Sequence, residues 1–158
     1  MTSPDETAVQ PHIDDLCFRL HQAATLVDRL VDTWLREHWA LPAGQFWTLV
    51  AVGLREESPS QREIARELGV SRAAVTARVR ALSRAGLVTV HHAPGDRRTQ
   101  RVALTERGAR RLAEAWQGLV AYQNTLLSGI DQRALGTRID LLVENAESAE
   151  RARAATRG

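Results

Sequence analysis

The sequence predicts a mainly α-helical fold carrying one small β-hairpin. Three observations lead there: long stretches with apolar residues at steps of three and four near both ends, two short central segments each opened by a serine and closed by a glycine, and one stretch whose apolar period falls to two. With 158 residues, 44% hydrophobic and 25% charged, the chain has the balance of one globular domain rather than two, and of a folded rather than a disordered protein.

Residues 1–11 are polar, contain Pro4 and show no periodicity, so a mobile tail is expected there. From Ile13 the residues Cys17, Leu20, Ala24, Val27, Val31, Trp34 and His38 follow at steps of four and three, with neither Gly nor Pro before Trp39. A helix of that length runs roughly 40 Å, more than a domain of this size needs for its own core, and the excess suggests an arm that packs on a partner. Pro42 suits the first turn of a second helix bearing Phe46, Trp47, Leu49, Val50 and Leu54.

The segment Ser60-Gln61-Arg62-Glu63 reads as a capping box, in which the serine and glutamate side chains each accept from the other's backbone N–H. The helix it opens closes at Gly69, and Ser71 at once caps another that runs to about Ala85, with Gly86 behind it. Leu87, Val88 and Val90, a turn over Ala93-Pro94-Gly95-Asp96, and then Val102 and Leu104 give the hairpin. Thr105 is placed to cap a long helix carrying Leu112, Trp116, Leu119, Val120, Leu126 and Leu127, and Asp131 a last one with Leu135, Ile139, Leu142 and Ala146.

Two short helices around a glycine turn, followed directly by a hairpin, make a winged helix-turn-helix, here inserted in a helical dimerisation scaffold. Ile64, Leu68, Val70, Val75, Val79 and Leu82 would form its small core. Val79 takes the inward duty that a simpler template gives to position 78, where this chain has Arg78. The opposite face then offers Arg72, Ala73, Thr76, Arg78 and Arg80, small and basic groups suited to a DNA major groove, with Ser60, Gln61 and Ser71 at the two helix starts completing the set. Charge agrees with this. The net +2 splits into +8 between Ser60 and Arg111 and −6 over the remainder, a basic centre between acidic flanks. The chain has no lysine, which explains arginine in place of lysine but not the clustering.

The run Leu82 to Val88, then Asp96-Arg97-Arg98 and Leu104-Thr105-Glu106-Arg107-Gly108, resembles the MarR family of transcriptional regulators, and the likeness spans about His12 to Ala149. It implies one domain over residues 12–149, with the winged core at 58–108 and dimerisation helices at 12–39, 106–129 and 131–150. It also implies that Arg98 enters the minor groove, that Asp96 orients it, and that Arg97 touches phosphate. Physically, a guanidinium fits a narrow, negative groove and needs something to hold its long side chain. The implied partners are double-stranded DNA, as a pseudo-palindromic operator with half-sites about 34–36 Å apart, and a second copy of the chain.

For regulation, the likeness suggests a small aromatic or phenolic effector, for which Trp34, His38, Trp39 and Trp47 are the candidate pocket. The segment Leu16-Cys17-Phe18-Arg19-Leu20 is similar to the organic-peroxide-sensing branch of the family, so Cys17 is a redox candidate. That branch's tyrosines are missing, Tyr122 being the only tyrosine, and Cys17 reads equally as an apolar seam residue. An architectural protein that binds DNA without regard to sequence is the further alternative. No cofactor, metal site or enzymatic activity is expected, since Cys17 with His21 has no third partner and the histidines lack ligand spacing. Without an apolar run of membrane length or a leader-like start, a cytoplasmic protein is expected.

Overall fold

The computed structural model describes residues 16–93 and 96–156, with the side chains at 93 and 96–98 outside the description. In chain order it consists of α1 (Leu16–Trp39), α2 (Ala43–Gly53), α3 (Gln61–Glu67), α4 (Arg72–Arg84), β1 (Val88–Ala93), β2 (Asp96–Leu104), α5 (Glu106–Leu126) and α6 (Gln132–Ala155). The strands pair antiparallel from Val88 with Leu104 to His92 with Gln100, and the register shifts between His92 and Ala93. The chain divides into two compact units, one ending at Leu119 and the other beginning at Val120.

Local chemistry explains where the central helices begin and end. Ser60 Oγ accepts from Glu63 N at 3.3 Å while Glu63 Oε2 accepts from Ser60 N at 2.7 Å, the expected capping box. Ser71 Oγ accepts from Ala74 N at 3.2 Å and opens α4. Between them Gly69 has φ +62°, and after α4 Gly86 has φ +70°. Both lie in the left-handed region where a side chain is strained, which is why glycine stands at these two helix ends. Thr105 joins wing to scaffold: its hydroxyl donates to Gly86 O at 2.7 Å and accepts from Gly108 N at 2.9 Å. Pro42 sits at the N-cap of α2 rather than inside its first turn, and α6 runs to Ala155, beyond the expected end at 150.

The core of the first unit contains Leu35, Phe46, Leu49, Ile64, Val75, Leu82, Val102 and Leu119, each almost fully buried. Val79 is buried as the helix-turn-helix pattern requires. Leu68 and Val70, expected in the same small core, are only half-buried and line a cavity instead. The reason is tertiary: they lie beside Gly69, at the edge where α3 turns toward α4, and face space bounded by α1 and α2.

Of the described seam residues of α1 only Val31 is buried, joined by Leu35, while Leu16, Phe18, Leu20, Leu26, Val27 and Leu30 are exposed. In the second unit no residue of α6 is buried, and Ile139, Leu141, Leu142 and Val143 are exposed. No helix among the described residues is long and apolar enough to cross a membrane.

Candidate nucleic-acid interface

The start of α4, the start of α3 and the wing enclose a cleft of about 310 Å³ lined by Ser60, Gln61, Arg62, Arg72, His92, Thr99 and Gln100. Each element supplies its part for a local reason. The capping box holds Ser60 and Gln61 at the first turn of α3, Ser71 sets the direction of α4 so that Arg72 projects from its first turn, and pairing with β1 carries Thr99 and Gln100 alongside. The lining offers two guanidinium groups, an imidazole, amides and hydroxyls. Those are donors for phosphate oxygens and base edges, and among the described residues no carboxylate lines the cleft to repel a phosphate.

The expected recognition face forms on most of its positions. Arg72, Ala73 and Arg80 are exposed along α4, opposite the buried Val75, Val79 and Leu82. Thr76 is half-buried, and its hydroxyl donates to Gln61 Oε1 at 2.7 Å and to Arg72 O at 3.0 Å. The contact leaves the Gln61 amide N–H₂ pair as donors and ties a side chain of each helix to the other.

Arg78 lies elsewhere. Two residues past Thr76 is about 200° around a helix, and Arg78 is half-buried against α2, so close that a Cβ on Gly44 would stand 2.9 Å from its Cζ. It lines a cavity of about 530 Å³ with Asp28, Asp32, Trp47, Glu67, Leu68 and Val70. There Arg36 and the Ala43 N–H hold the Asp32 carboxyl below its usual range.

Asp96, Arg97 and Arg98, the wing-tip candidates, have side chains outside the described residues; their backbone opens β2. Arg62, His92, Thr99 and Gln100 were missed from the sequence. The signal that could have found them is their place on the hairpin and on the exposed side of the capping box, which becomes meaningful only once the wing folds beside α3.

Of the four residues expected to form an effector pocket, Trp34 and Trp39 both approach Gly118 and His38 stacks on Trp34, while Trp47 lies in a different cavity. Trp34 and His38 stack at 4.6 Å between ring centroids. Trp39 lines a cleft of about 350 Å³ with Leu41, Gln45, Leu87, Arg107, Arg110 and Arg111, where the Arg111 guanidinium lies 5.1 Å from the Trp39 ring and donates to the Trp39 carbonyl. Trp47 faces the Arg78 cavity and packs edge-on against Phe46 at 5.0 Å. Trp39 and Trp47 are only eight residues apart, but the turn at Ala40, whose φ is +47°, reverses the chain between α1 and α2 and sends their rings to different sides. Cys17 is exposed near the start of α1. Among the described residues no group of three or more His, Cys, Asp or Glu is placed to hold a metal ion.

Residues 41–99, which run from the start of α2 to the returning wing strand, match the MarR family in sequence. No curated protein matches the chain. Solved structures do. A MarR-family transcriptional regulator from Rhodococcus sp. RHA1 is 26% identical with a TM-score of 0.76, over 84% of this chain and 93% of that one. CouR from Rhodococcus jostii RHA1, solved with p-coumaroyl-CoA, is 26% identical with a TM-score of 0.75 and the same coverage, and CouR has also been solved on a 23-mer DNA duplex. The Mycobacterium tuberculosis regulator MOSR, solved with DNA, is 27% identical with a TM-score of 0.68, over 85% of this chain and 97% of that one. Residues 41–99 thus carry the MarR family's sequence pattern, and most of the chain shares its fold with MarR-family winged helix regulators.

Proposed function

We propose that this protein is a sequence-specific double-stranded DNA-binding transcriptional regulator, acting as a homodimeric repressor on a pseudo-palindromic operator. The observation that carries the reading is the cleft at the start of α4, where Arg62, Arg72, Gln61 and wing residues converge beside the exposed face of the helix. CouR, named a transcriptional repressor, and MOSR, each solved with DNA, support the same use of this fold. The exposed apolar residues of α1 and α6 support dimerisation, because a second copy would remove them from water.

The test is selection of the preferred duplex from random sequence, followed by binding against salt. Arg72→Ala is expected to weaken binding by roughly 1–3 kcal/mol and to relax preference at the base it reads, while affinity falls steeply with salt because phosphate contacts release counterions. Binding that ignores sequence would point to the architectural alternative, and binding without salt dependence would refute both.

For the regulatory input we infer a small aromatic effector in the Trp39 cleft. The cleft offers an aromatic wall, three guanidinium groups against the single carboxylate of Glu114, and contact with Ala85, which ends the recognition helix, so an occupant there touches the element it must move. CouR with bound p-coumaroyl-CoA supports an effector carrying a ring and negative charge. A thiol switch at Cys17 is the second reading, favoured by exposure of that residue. Release of DNA by peroxide from wild type but not from Cys17→Ser would select it. The protein is read as a regulator without enzymatic activity, working in the cytoplasm where its operator is.

A further inference from the structure

We propose that Arg101 is a positioning residue: through Glu63 it fixes the wing to the helix-turn-helix, and the wing's grip on DNA depends on that contact. The inference rests on the DNA-binding reading above and adds to it a residue that neither the sequence pattern nor the basic face singled out.

The geometry converges on one oxygen. Glu63 Oε2 accepts from Ser60 N at 2.7 Å, which starts α3, and from Arg101 Nη1 at 3.1 Å, which belongs to the wing strand β2. The same Nη1 donates to Ser58 O at 3.1 Å. Alongside, Val102 N donates to Pro59 O at 2.9 Å, and Ser60 and Arg101 form an isolated antiparallel bridge. The segment before α3 therefore acts as a short third strand on the wing. Backbone contacts set its distance. The guanidinium, with one nitrogen on both a carbonyl and a carboxylate, resists rotation of β2 about that seam.

Rotation matters because the hairpin is a lever. Arg101 stands opposite His91, and from there to Ala93 the strand runs about 7 Å, so a tilt of about 10° at Arg101 displaces that end by about an ångström, enough to misplace a side chain in a groove. The pair is about one-third exposed on each side, 30% for Arg101 and 36% for Glu63, so its own contribution to stability is small. Its value is orientation. The Ser60 N–H is the main influence holding the Glu63 carboxyl below its ordinary 4.5, with Arg101 adding to it, so the group is ionised and able to pair near neutrality.

A rival role for Arg101 is direct contact with phosphate, and Glu63→Gln separates the two. Glutamine can still accept from Ser60 N, as the capping box allows, so α3 keeps its start while the charge pairing with Arg101 is lost. Removing a negative charge near DNA would by itself strengthen binding. Positioning predicts the reverse.

The full-length chain would be titrated by fluorescence anisotropy onto its selected duplex, as wild type, Glu63→Gln, Arg101→Met and the double variant, with thermal melts of each. The expected result is binding weakened roughly 2- to 30-fold by either single change, no further loss in the double variant, unchanged preference at the bases read by α4, and a melt of Glu63→Gln close to wild type. If Arg101→Met fails to fold, Glu63→Gln and Arg101→Lys carry the test, with lysine restoring part of the loss. Binding of Glu63→Gln equal to or tighter than wild type would overturn the proposal, as would additive losses in the double variant. A wild type that binds no duplex in a salt-dependent way overturns the DNA-binding reading itself, an outcome distinct from these.

Discussion

Gly108 shows how tightly the wing is joined to the scaffold. A Cβ placed there would stand 1.9 Å from the carbonyl oxygen of Leu87, a backbone atom that cannot swing aside. Gly108→Ala is expected to destabilise the fold by about 3 kcal/mol, the upper range for forcing atoms into a packed site. Gly136, in the second turn of α6 with nothing within 4 Å, is the control. Gly136→Ala should stabilise by about 0.5–1 kcal/mol, because alanine has less backbone freedom to lose. Thermal melts of both variants check the contrast, and a mild effect at Gly108 would contradict the close approach.

Glu63 and Asp32 set the response to acid. Both carboxyls lie below their ordinary values in the folded chain, Glu63 chiefly through the Ser60 N–H and Asp32 chiefly through Arg36. A group whose folded value is depressed adds stability that is present above its unfolded value and is lost as pH falls through the folded one. Stability is therefore expected to fall as pH drops below about 4.5 and to fall less steeply in Glu63→Gln. Denaturant midpoints measured across that range test it, and identical slopes in the two proteins would contradict it.

At the scale of elements, much of the fold was legible because its signals are local. Ser60, Glu63, Ser71, Thr105 and Asp131 each act on a backbone group within three residues, so their sequence positions already define the helix starts. Gly69 and Gly86 mark helix ends for a similarly local reason, their positive φ. Ser71→Ala is accordingly expected to lose roughly 1 kcal/mol of stability, measurable by chemical denaturation.

What was not legible is what distant elements decide. The sequence puts Arg78 with Arg72 and Thr76 on the outward face of α4, but the packing of α2 sets it against Gly44 instead. Trp47 lies apart from Trp34, His38 and Trp39 because α2 turns away after Ala40, so that Trp39 and Trp47 line separate cavities. The bridge from Ser60 to Arg101 joins residues 41 positions apart, and neither carries a local signal for the other. Arg78→Ala should consequently alter DNA base preference less than Arg72→Ala does, which the same selected duplex and its single-base variants would reveal.

At the scale of the molecule, a small basic core is carried by helices with more apolar surface than one copy covers. Leu20, Val27 and Leu30 on α1 and Leu141 to Val143 on α6 are exposed in the single chain. If a second copy covers them, charge introduced there, as in Leu20→Arg with Leu142→Arg, should give monomers and weaken operator binding while the wing and α4 remain folded. Analytical ultracentrifugation with circular dichroism distinguishes that result from simple unfolding.

Dimeric, sequence-specific recognition is the central claim, and stoichiometry on DNA tests it most directly. The full chain would be titrated onto the duplex it selects from random sequence, with the mass of the complex measured at increasing salt. The account predicts two chains on one pseudo-palindrome, half-sites about 34–36 Å apart, and affinity that falls steeply as salt rises. A single chain bound to a site without symmetry, or binding indifferent to sequence, would contradict it.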